Sequence, residues 1–334
     1  EYINKHPHDY KLKKNNGLRM LWITPLRALT NDIRKAMQSV VDDLGLPWNV
    51  GRRTGDTTSA EKAELKKRLP EVLLTTPESL HSMLTQKDYP KFFENLEVVV
   101  ADEWHELLGT KRGVQLELGL SRLKGLRIPE PDNVPEVRSD NVALGSPKGR
   151  ELPQLKIWGI SATIGNLEQG AEVLLGSDIP KENIKLVRSY LDKKIEIQSV
   201  IPDNIEEFSW AGHLGIKLLP KVMEVVAKSK TTLIFTNTRS QSEIWYHAIL
   251  DNYPQYAGIM AMHHGSLDNE LRTWVEQALH NEMLKLVVCT SSLDLGVDFR
   301  PVDAVVQIGS PKGVARFMQR AGRSGHHPGA TSKA

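Results

Sequence analysis

Seven short apolar runs punctuate the chain: RMLWIT (19–24), EVLLTT (71–76), EVVVAD (97–102), LKIWGI (155–160), TTLIFT (231–236), KLVVCT (285–290) and AVVQIG (304–309). They are continuous rather than alternating, and rich in Val, Ile and Leu. Runs of this kind fit strands buried on both faces, as in a parallel sheet. Between them the apolar period lengthens. Leu29, Ile33, Ala36, Met37, Val40, Val41 and Leu44 fall on one stripe of an amphipathic helix. Strand–helix alternation over this length predicts an α/β fold, doubly wound, with mostly parallel sheets.

A polar stretch near 190–212 separates the first four strands from the last three. At about 150 residues per domain, 334 residues suit two domains. The expected units are 1–197 and 198–334. Residues 127–154 hold five prolines and almost no periodicity, which predicts a loop insertion in the first domain.

Almost every run ends in a small polar cluster. These are Pro25-Leu26-Arg27, Pro77-Glu78-Ser79, Asp102-Glu103, Ser161-Ala162-Thr163, Asn237-Thr238-Arg239 and Ser291-Ser292. In open parallel sheets the ligand crevice lies beyond the carboxyl ends of the strands. Turns and caps account for part of this pattern. Thr24-Pro25 and Thr76-Pro77 each read as a helix N-cap followed by proline at the first helical position.

Composition adds exclusions. The net charge is +2, so no basic tail advertises nucleic acid, and any such contact must come from locally placed donors. One cysteine, Cys289, excludes a disulfide within the chain and fits a reducing compartment. No apolar run approaches the ~18–20 residues of a membrane-spanning helix. The chain begins at Glu1 without a methionine and ends in HHPGATSKA, so a piece of a longer protein is expected.

The candidate chemistry starts at Asp102 and Glu103, at the tip of an apolar strand. In phosphoryl-transfer enzymes an Asp in this place holds Mg²⁺, and a neighbouring acid orients or deprotonates water. Two acids at a solvated strand end look the same, so the pair alone decides little. Further along, Arg320 and Arg323 flank Gly322 at the end of a helix expected to start near Pro311. Arg323 suits an arginine finger, a group worth about 10³–10⁵ in rate. His263 and His264 in MHHGSL read as a loop between strand and helix, without acids or cysteines at ligand spacing.

The ordered strings TPLRAL, TTPESL, DEWH, SAT, LIFTNTRS, CTSSLDLGVDF and QRAGRSGH resemble the motifs of superfamily 2 helicases. WITPLRALTNDI, RTGDTTSAEKA, DEWHELLGTKRGVQLELGLSRL and GISATIGNLE are similar to the Lhr-like group, in particular the ligase-associated DEXH-box DNA helicases. The resemblance implies two tandem RecA-like domains, the first truncated at its N-terminus, using ATP and Mg²⁺ in a cleft between them. By that resemblance Asp102 binds Mg²⁺, Glu103 activates water and His105 couples the nucleotide site to the facing domain. Ser161, Ala162 and Thr163 relay hydrolysis. Gln319, Arg320 and Arg323 contact nucleotide, helped by Gly296 and Asp298. Thr24, Pro25, Arg27, Thr54, Gly55, Thr76, Pro77 and Glu78 line the nucleic-acid path in the first domain, and Thr236, Asn237 and Thr290 in the second. Such groups contact phosphate and sugar, so sequence-independent, salt-sensitive binding is expected. The resemblance further implies 3′-to-5′ movement on single-stranded or partly duplex DNA. It also implies a DNA-repair role beside a DNA ligase and an exonuclease, in the bacterial cytoplasm.

One motif is missing. No G-x-x-x-x-G-K-S/T occurs in the chain, and LGTKRG (108–113) lies after the acidic pair and lacks the first glycine and the Ser/Thr. The P-loop is expected just ahead of Glu1, and the 334 residues alone are expected to be inactive. His326 stands where many superfamily 2 members carry a last arginine. Two alternatives stay open at this level: an RNA helicase on the same frame, and a non-catalytic nucleic-acid-binding protein with a relic site.

Overall fold

The computed structural model describes residues 2–12, 16–25, 27–128, 155–162, 164–177, 179–189, 194–201, 215–294, 302–311, 313–325 and 331–334. The chain divides into two compact units, Glu1–Val187 and Arg188–Ala334. The expected insertion at 127–154 lies, after its first two residues, outside the described residues.

The first unit runs α1 (Tyr2–Lys5), β1 (Met20–Ile23), α2 (Arg27–Asp43), β2 (Val50–Arg53), α3 (Ser59–Lys67), β3 (Val72–Thr75), α4 (Pro77–Leu84), α5 (Tyr89–Phe92), β4 (Val98–Ala101), α6 (Trp104–Leu107), α7 (Lys111–Gly125), β5 (Lys156–Gly159) and α8 (Leu167–Leu175). Its strands form one sheet in the order β2-β3-β1-β4-β5, and every pairing is parallel. Successive residues of a strand point to opposite faces. Leu21, Ile23, Leu73, Val99 and Ala101 face a core shared with Leu80, Leu116 and Leu120 of α4 and α7. Met20, Trp22, Val72 and Leu74 face the other side, against Ile33, Met37 and Val41 of α2. Both faces of β1, β3 and β4 are covered, which is why these runs read as continuous rather than alternating.

The second unit holds β6 (Ile195–Glu196), α9 (Leu219–Lys228), β7 (Thr232–Phe235), α10 (Arg239–Asn252), β8 (Met260–His263), α11 (Asn269–His280), β9 (Leu286–Cys289), β10 (Ala304–Gln307), α12 (Val314–Ala321) and β11 (Ser332–Lys333). Its parallel sheet has the order β10-β7-β9-β8. Leu233, Phe235, Val287 and Val305 pack on α11, and Ile234, Leu286 and Val288 pack on α9 and α10. β6 pairs with β11, so the residues just ahead of 197 belong with this unit.

All seven expected strands form. β2, β6, β8 and β11 are additions that the apolar runs did not reveal. Two local expectations need correction. Thr24 does not cap α2, because the helix begins at Arg27 and Thr24 is wholly buried at the end of β1. The stripe on α2 is narrower than expected, with Val40 and Leu44 exposed. The helix expected to start near Pro311 begins at Val314. At Thr76 the cap is as read: its side chain accepts from the Ser79 N–H, with Pro77 in the first turn.

Among the described residues β5 is an outer strand of its sheet, with Trp158 and Ile160 exposed. A groove of about 920 Å³ runs along it, lined by Trp104, Trp158, Leu174 and Ile184 among others. No helix among the described residues is long and apolar enough to cross a membrane.

Candidate functional site

Register aligns the polar chemistry of the first sheet. Arg53, Thr75, Ile23, Ala101 and Gly159 stand at one level across β2, β3, β1, β4 and β5. The next residue on each strand is Thr54, Thr76, Thr24, Asp102 and Ile160. One carboxyl edge therefore carries, side by side, residues that are scattered along the sequence.

β4 delivers Asp102 into this row, its N–H bonded to the Ile23 carbonyl at 2.8 Å. The chain then turns sharply. Glu103 adopts φ 47° and ψ 45°, a left-handed conformation that costs a non-glycine residue of order 1 kcal/mol. That turn starts α6 and lets the Trp104 N–H reach the Ile160 carbonyl at 3.0 Å. Trp104 is a core residue, with its indole N–H donating to Gly170 at 2.9 Å.

Asp102 is 9% exposed. Its Oδ2 accepts from Trp22 Nε1 at 3.1 Å and its Oδ1 from the Glu103 N–H at 3.0 Å. Burial pushes this carboxyl up from its ordinary value, against the pull of those two donors and of His105. His105 Nδ1 lies 2.9 Å from Ser161 Oγ and 3.6 Å from Glu103 Oε2, and its Nε2 lies 3.7 Å from Glu106. The structure thus brings Asp102, Glu103, His105 and Ser161 together. Ala162 is exposed beside them, and Thr163 lies outside the described residues.

The threonines expected to line a path are corrected in one respect: their side chains are buried. Thr24, Thr54 and Thr76 are at most 3% exposed. The Thr54 N–H donates to Thr57 Oγ1 at 2.8 Å, Thr54 Oγ1 accepts from the Asp56 N–H at 3.3 Å, and Thr76 caps α4. Thr24 Oγ1 has no hydrogen-bond partner among the described residues. These side chains shape the turns, and the turns present backbone and exposed Gly55. Pro25 and Pro77 are buried, and the Arg27 side chain lies outside the described ones. Burial works to raise the Glu78 carboxyl, but bonds from Arg112, its own N–H and Thr76 hold it below its ordinary value.

In the second unit Ile308, Thr236, Thr290 and His264 follow the aligned ends of β10, β7, β9 and β8. Thr236 is buried, its hydroxyl 2.7 Å from Ser242 Oγ. Asn237 donates from Nδ2 to Ser310 at 2.9 Å, and the half-buried Thr290 donates to Ser292 at 3.5 Å. His263 ends β8, with Nδ1 2.7 Å from Ser292 and Nε2 3.2 Å from Glu276.

Gln319 and Arg320 lie on α12, and Arg323 just beyond it. Arg320 is 2% exposed and faces inward. It donates to both carboxylate oxygens of Asp294 at 2.6 and 2.9 Å and to Gln307 at 2.6 Å, over the ring of Phe235. These donors are thus bound inside the unit, at a residue expected on the nucleotide. Arg323 is half-buried and donates to the Asp294 carbonyl at 2.6 Å. Gly296, Asp298 and His326 lie outside the described residues.

Sequence reasoning missed Asp294, Gln307, His263 and Arg112 as parts of these sites. Asp294 had a signal, an acid inside the otherwise apolar and hydroxyl run TSSLDL.

Comparisons with known proteins agree with this geometry. Residues 2–169 match the DEAD/DEAH box helicase family and residues 216–327 the helicase conserved C-terminal domain. The chain is 35% identical to an ATP-dependent helicase Lhr-Core protein 2 of Thermococcus barophilus, over 96% of this chain and 36% of that protein. It is 30% identical to the Lhr helicase/uracil glycosylase of Escherichia coli, over 96% of this chain and 22% of that protein. The chain thus spans about a third or less of the length of these relatives. A solved structure of Mycobacterium smegmatis helicase Lhr bound to ssDNA and AMP-PNP superposes with a TM-score of 0.71 at 29% identity, covering 95% of this chain and 39% of that one. The helicase MrfA bound to DNA shares the fold, with a TM-score of 0.72 at 21% identity, covering 99% of this chain and 41% of that one. With the acidic turn at the end of β4 and two parallel-sheet units matched in order, this chain belongs to the DEAD/DEAH box helicase family, as an Lhr-like superfamily 2 member.

Proposed function

We propose that this chain is the motor part of an ATP-dependent helicase or translocase that moves 3′ to 5′ on single-stranded or partly duplex DNA. The observation that carries the reading is the cluster of Asp102, Glu103, His105 and Ser161 at one carboxyl edge, with His105 bonded to Ser161 across β4 and β5.

Asp102 fits a magnesium ion. Each of its oxygens gives one lone pair to a protein N–H and keeps another. Magnesium keeps several waters and takes one or two carboxylates beside phosphate oxygens, so one aspartate suffices. Bound with ATP, the ion supplies neutralisation of phosphate charge. Glu103, held on its strained turn, orients and deprotonates the attacking water. The His105–Ser161 bond ties that turn to the end of β5, so a change at the acid is felt at the next strand. Arg323 takes the charge-neutralising role by resemblance.

DNA is favoured because the Lhr structure that this chain resembles at 29% identity is bound to ssDNA. The repair setting, the ligase and exonuclease partners and the bacterial cytoplasm rest on the resemblance alone. Relatives of similar identity come from archaea and bacteria alike.

The test uses the whole protein. Glu103→Gln is expected to lower strand-stimulated ATP turnover by at least about 10²-fold, while strand binding persists. Unchanged turnover would remove Glu103 as the base. Competition between matched DNA and RNA strands decides the nucleic acid, and duplexes with a 3′ or a 5′ single-stranded tail decide the direction.

A further inference from the structure

LGTKRG, the string that mimics a P-loop, has another use in the fold. Thr110 caps α7 by accepting from the Gly113 N–H at 3.2 Å. Gly113 leaves no room for a side chain, since a Cβ there would stand 2.2 Å from the Leu107 carbonyl oxygen. α7 then lies flat on α4. Gly119 admits Leu80, whose Cδ2 would be 2.8 Å from an added Cβ, and His81 Nε2 sits 2.6 Å from the Gln115 carbonyl oxygen. The first turn of α7 is thus fixed by its cap, by close packing and by its neighbour.

From that turn Arg112 reaches the first turn of α4 and the turn after β1 at once. Its Nε and Nη2 meet the two carboxylate oxygens of Glu78, at 2.5 and 3.2 Å, and its Nη1 donates to the Pro25 carbonyl at 2.6 Å. Pro25 follows β1, and Glu78 lies in the first turn of α4, directly after β3. β1 and β3 are paired neighbours. One guanidinium therefore bridges the two turns assigned above to the nucleic-acid path. Its planar fork suits this task, because it can hold a carboxylate through two donors and leave a third for a carbonyl.

We propose that Arg112 is a positioning residue for nucleic-acid binding. It braces the Pro25 turn and the α4 N-terminus into one rigid ledge, without itself holding a phosphate. The proposal rests on the helicase reading, since it names the device that shapes that surface. Three of its donors are already used, and its charge is matched by Glu78. A strand crossing the ledge meets turns held at a set spacing and a carboxylate already neutralised.

Arg112→Lys in the whole protein separates the alternatives, because lysine keeps the charge and binds phosphate well but is a point donor without the fork. The affinity for a single DNA strand is expected to fall by several-fold to about tenfold. The strand concentration giving half-maximal ATPase stimulation should rise by the same factor, with the plateau rate unchanged. Arg112→Ala should lose at least as much affinity, while the slope of log affinity against log salt stays the same. A Lys variant that binds as wild type, or an Ala variant whose slope falls by about 0.7, would make Arg112 a phosphate ligand and overturn the proposal. Loss of binding that merely tracks a melting point below the assay temperature would make it a fold residue only, and also overturn it. A wild-type protein that binds no strand would sink the helicase reading together with this one.

Discussion

Asp102 in the first unit and Asp294 in the second stand in comparable places. Each is a buried carboxylate on the carboxyl side of a parallel sheet, Asp102 directly after β4 and Asp294 after the short turn Ser291–Leu293 that follows β9. Their company differs. Asp102 has neutral donors, the Trp22 indole and one backbone N–H, with His105 nearby. Asp294 has the Arg320 guanidinium on both oxygens and Arg316 Nε at 3.6 Å. A buried charge without a full partner is expensive to fold and open to a cation. A buried charge in a bidentate pair is already satisfied, and it fixes the elements it joins. The same residue type on the carboxyl side of the same kind of sheet is thus left without a full charge partner in one unit and tied into a brace in the other.

The comparison breaks if removing the two acids has the same effect. Asp294→Ala leaves Arg320 buried without its carboxylate and is expected to cost roughly 3–5 kcal/mol. Chemical denaturation of the whole protein should show this as an early transition of the second unit. The double change Asp294→Leu with Arg320→Met should recover most of the loss, because an apolar pair of similar volume avoids both desolvation terms. If the double variant is as unstable as the single, the pair does more than neutralise itself.

Asp102→Asn should act in the opposite sense on stability. The carboxyl is shifted up in the fold, so its contribution to stability is fully present below the unfolded value of 3.8 and is lost as pH rises through the raised folded value. Relative to wild type, the Asn variant should therefore gain stability as pH climbs above 3.8, and the gain should level off once Asp102 is ionised in the fold. Paired thermal melts from below pH 3.8 up to neutral read this directly. A flat difference, or one of the other sign, would mean that Asp102 is better paired than its surroundings indicate. Turnover by the same variant should be abolished, although its stability effect is the smaller of the two.

Much of the fold was legible because both faces of the central strands are covered. Runs such as VVVA in β4 and LVVC in β9 then have no polar face, and they stand out in the chain. β2 was hidden because it is an outer strand that reads VGRR, with two arginines and a glycine. β8 was hidden because it reads MAMH, short and closed by a histidine. Val40 and Leu44 fit the helical period of α2 and are nonetheless exposed, since period shows a face but not how far the core extends over it.

By itself the sequence determined that two α/β units form and that polar chemistry gathers at the carboxyl ends of parallel strands. Both follow from local patterns: apolar runs of strand length, then hydroxyls, amides and acids. Only the tertiary structure decided which of those groups are satisfied. His105 meets Ser161 across 56 residues, Arg112 meets Glu78 across 34, and Arg320 meets Asp294 across 26. No local period encodes such separations. They arise from register and from which helix lies over which strand end, and burial then sets how strongly each charge needs its partner.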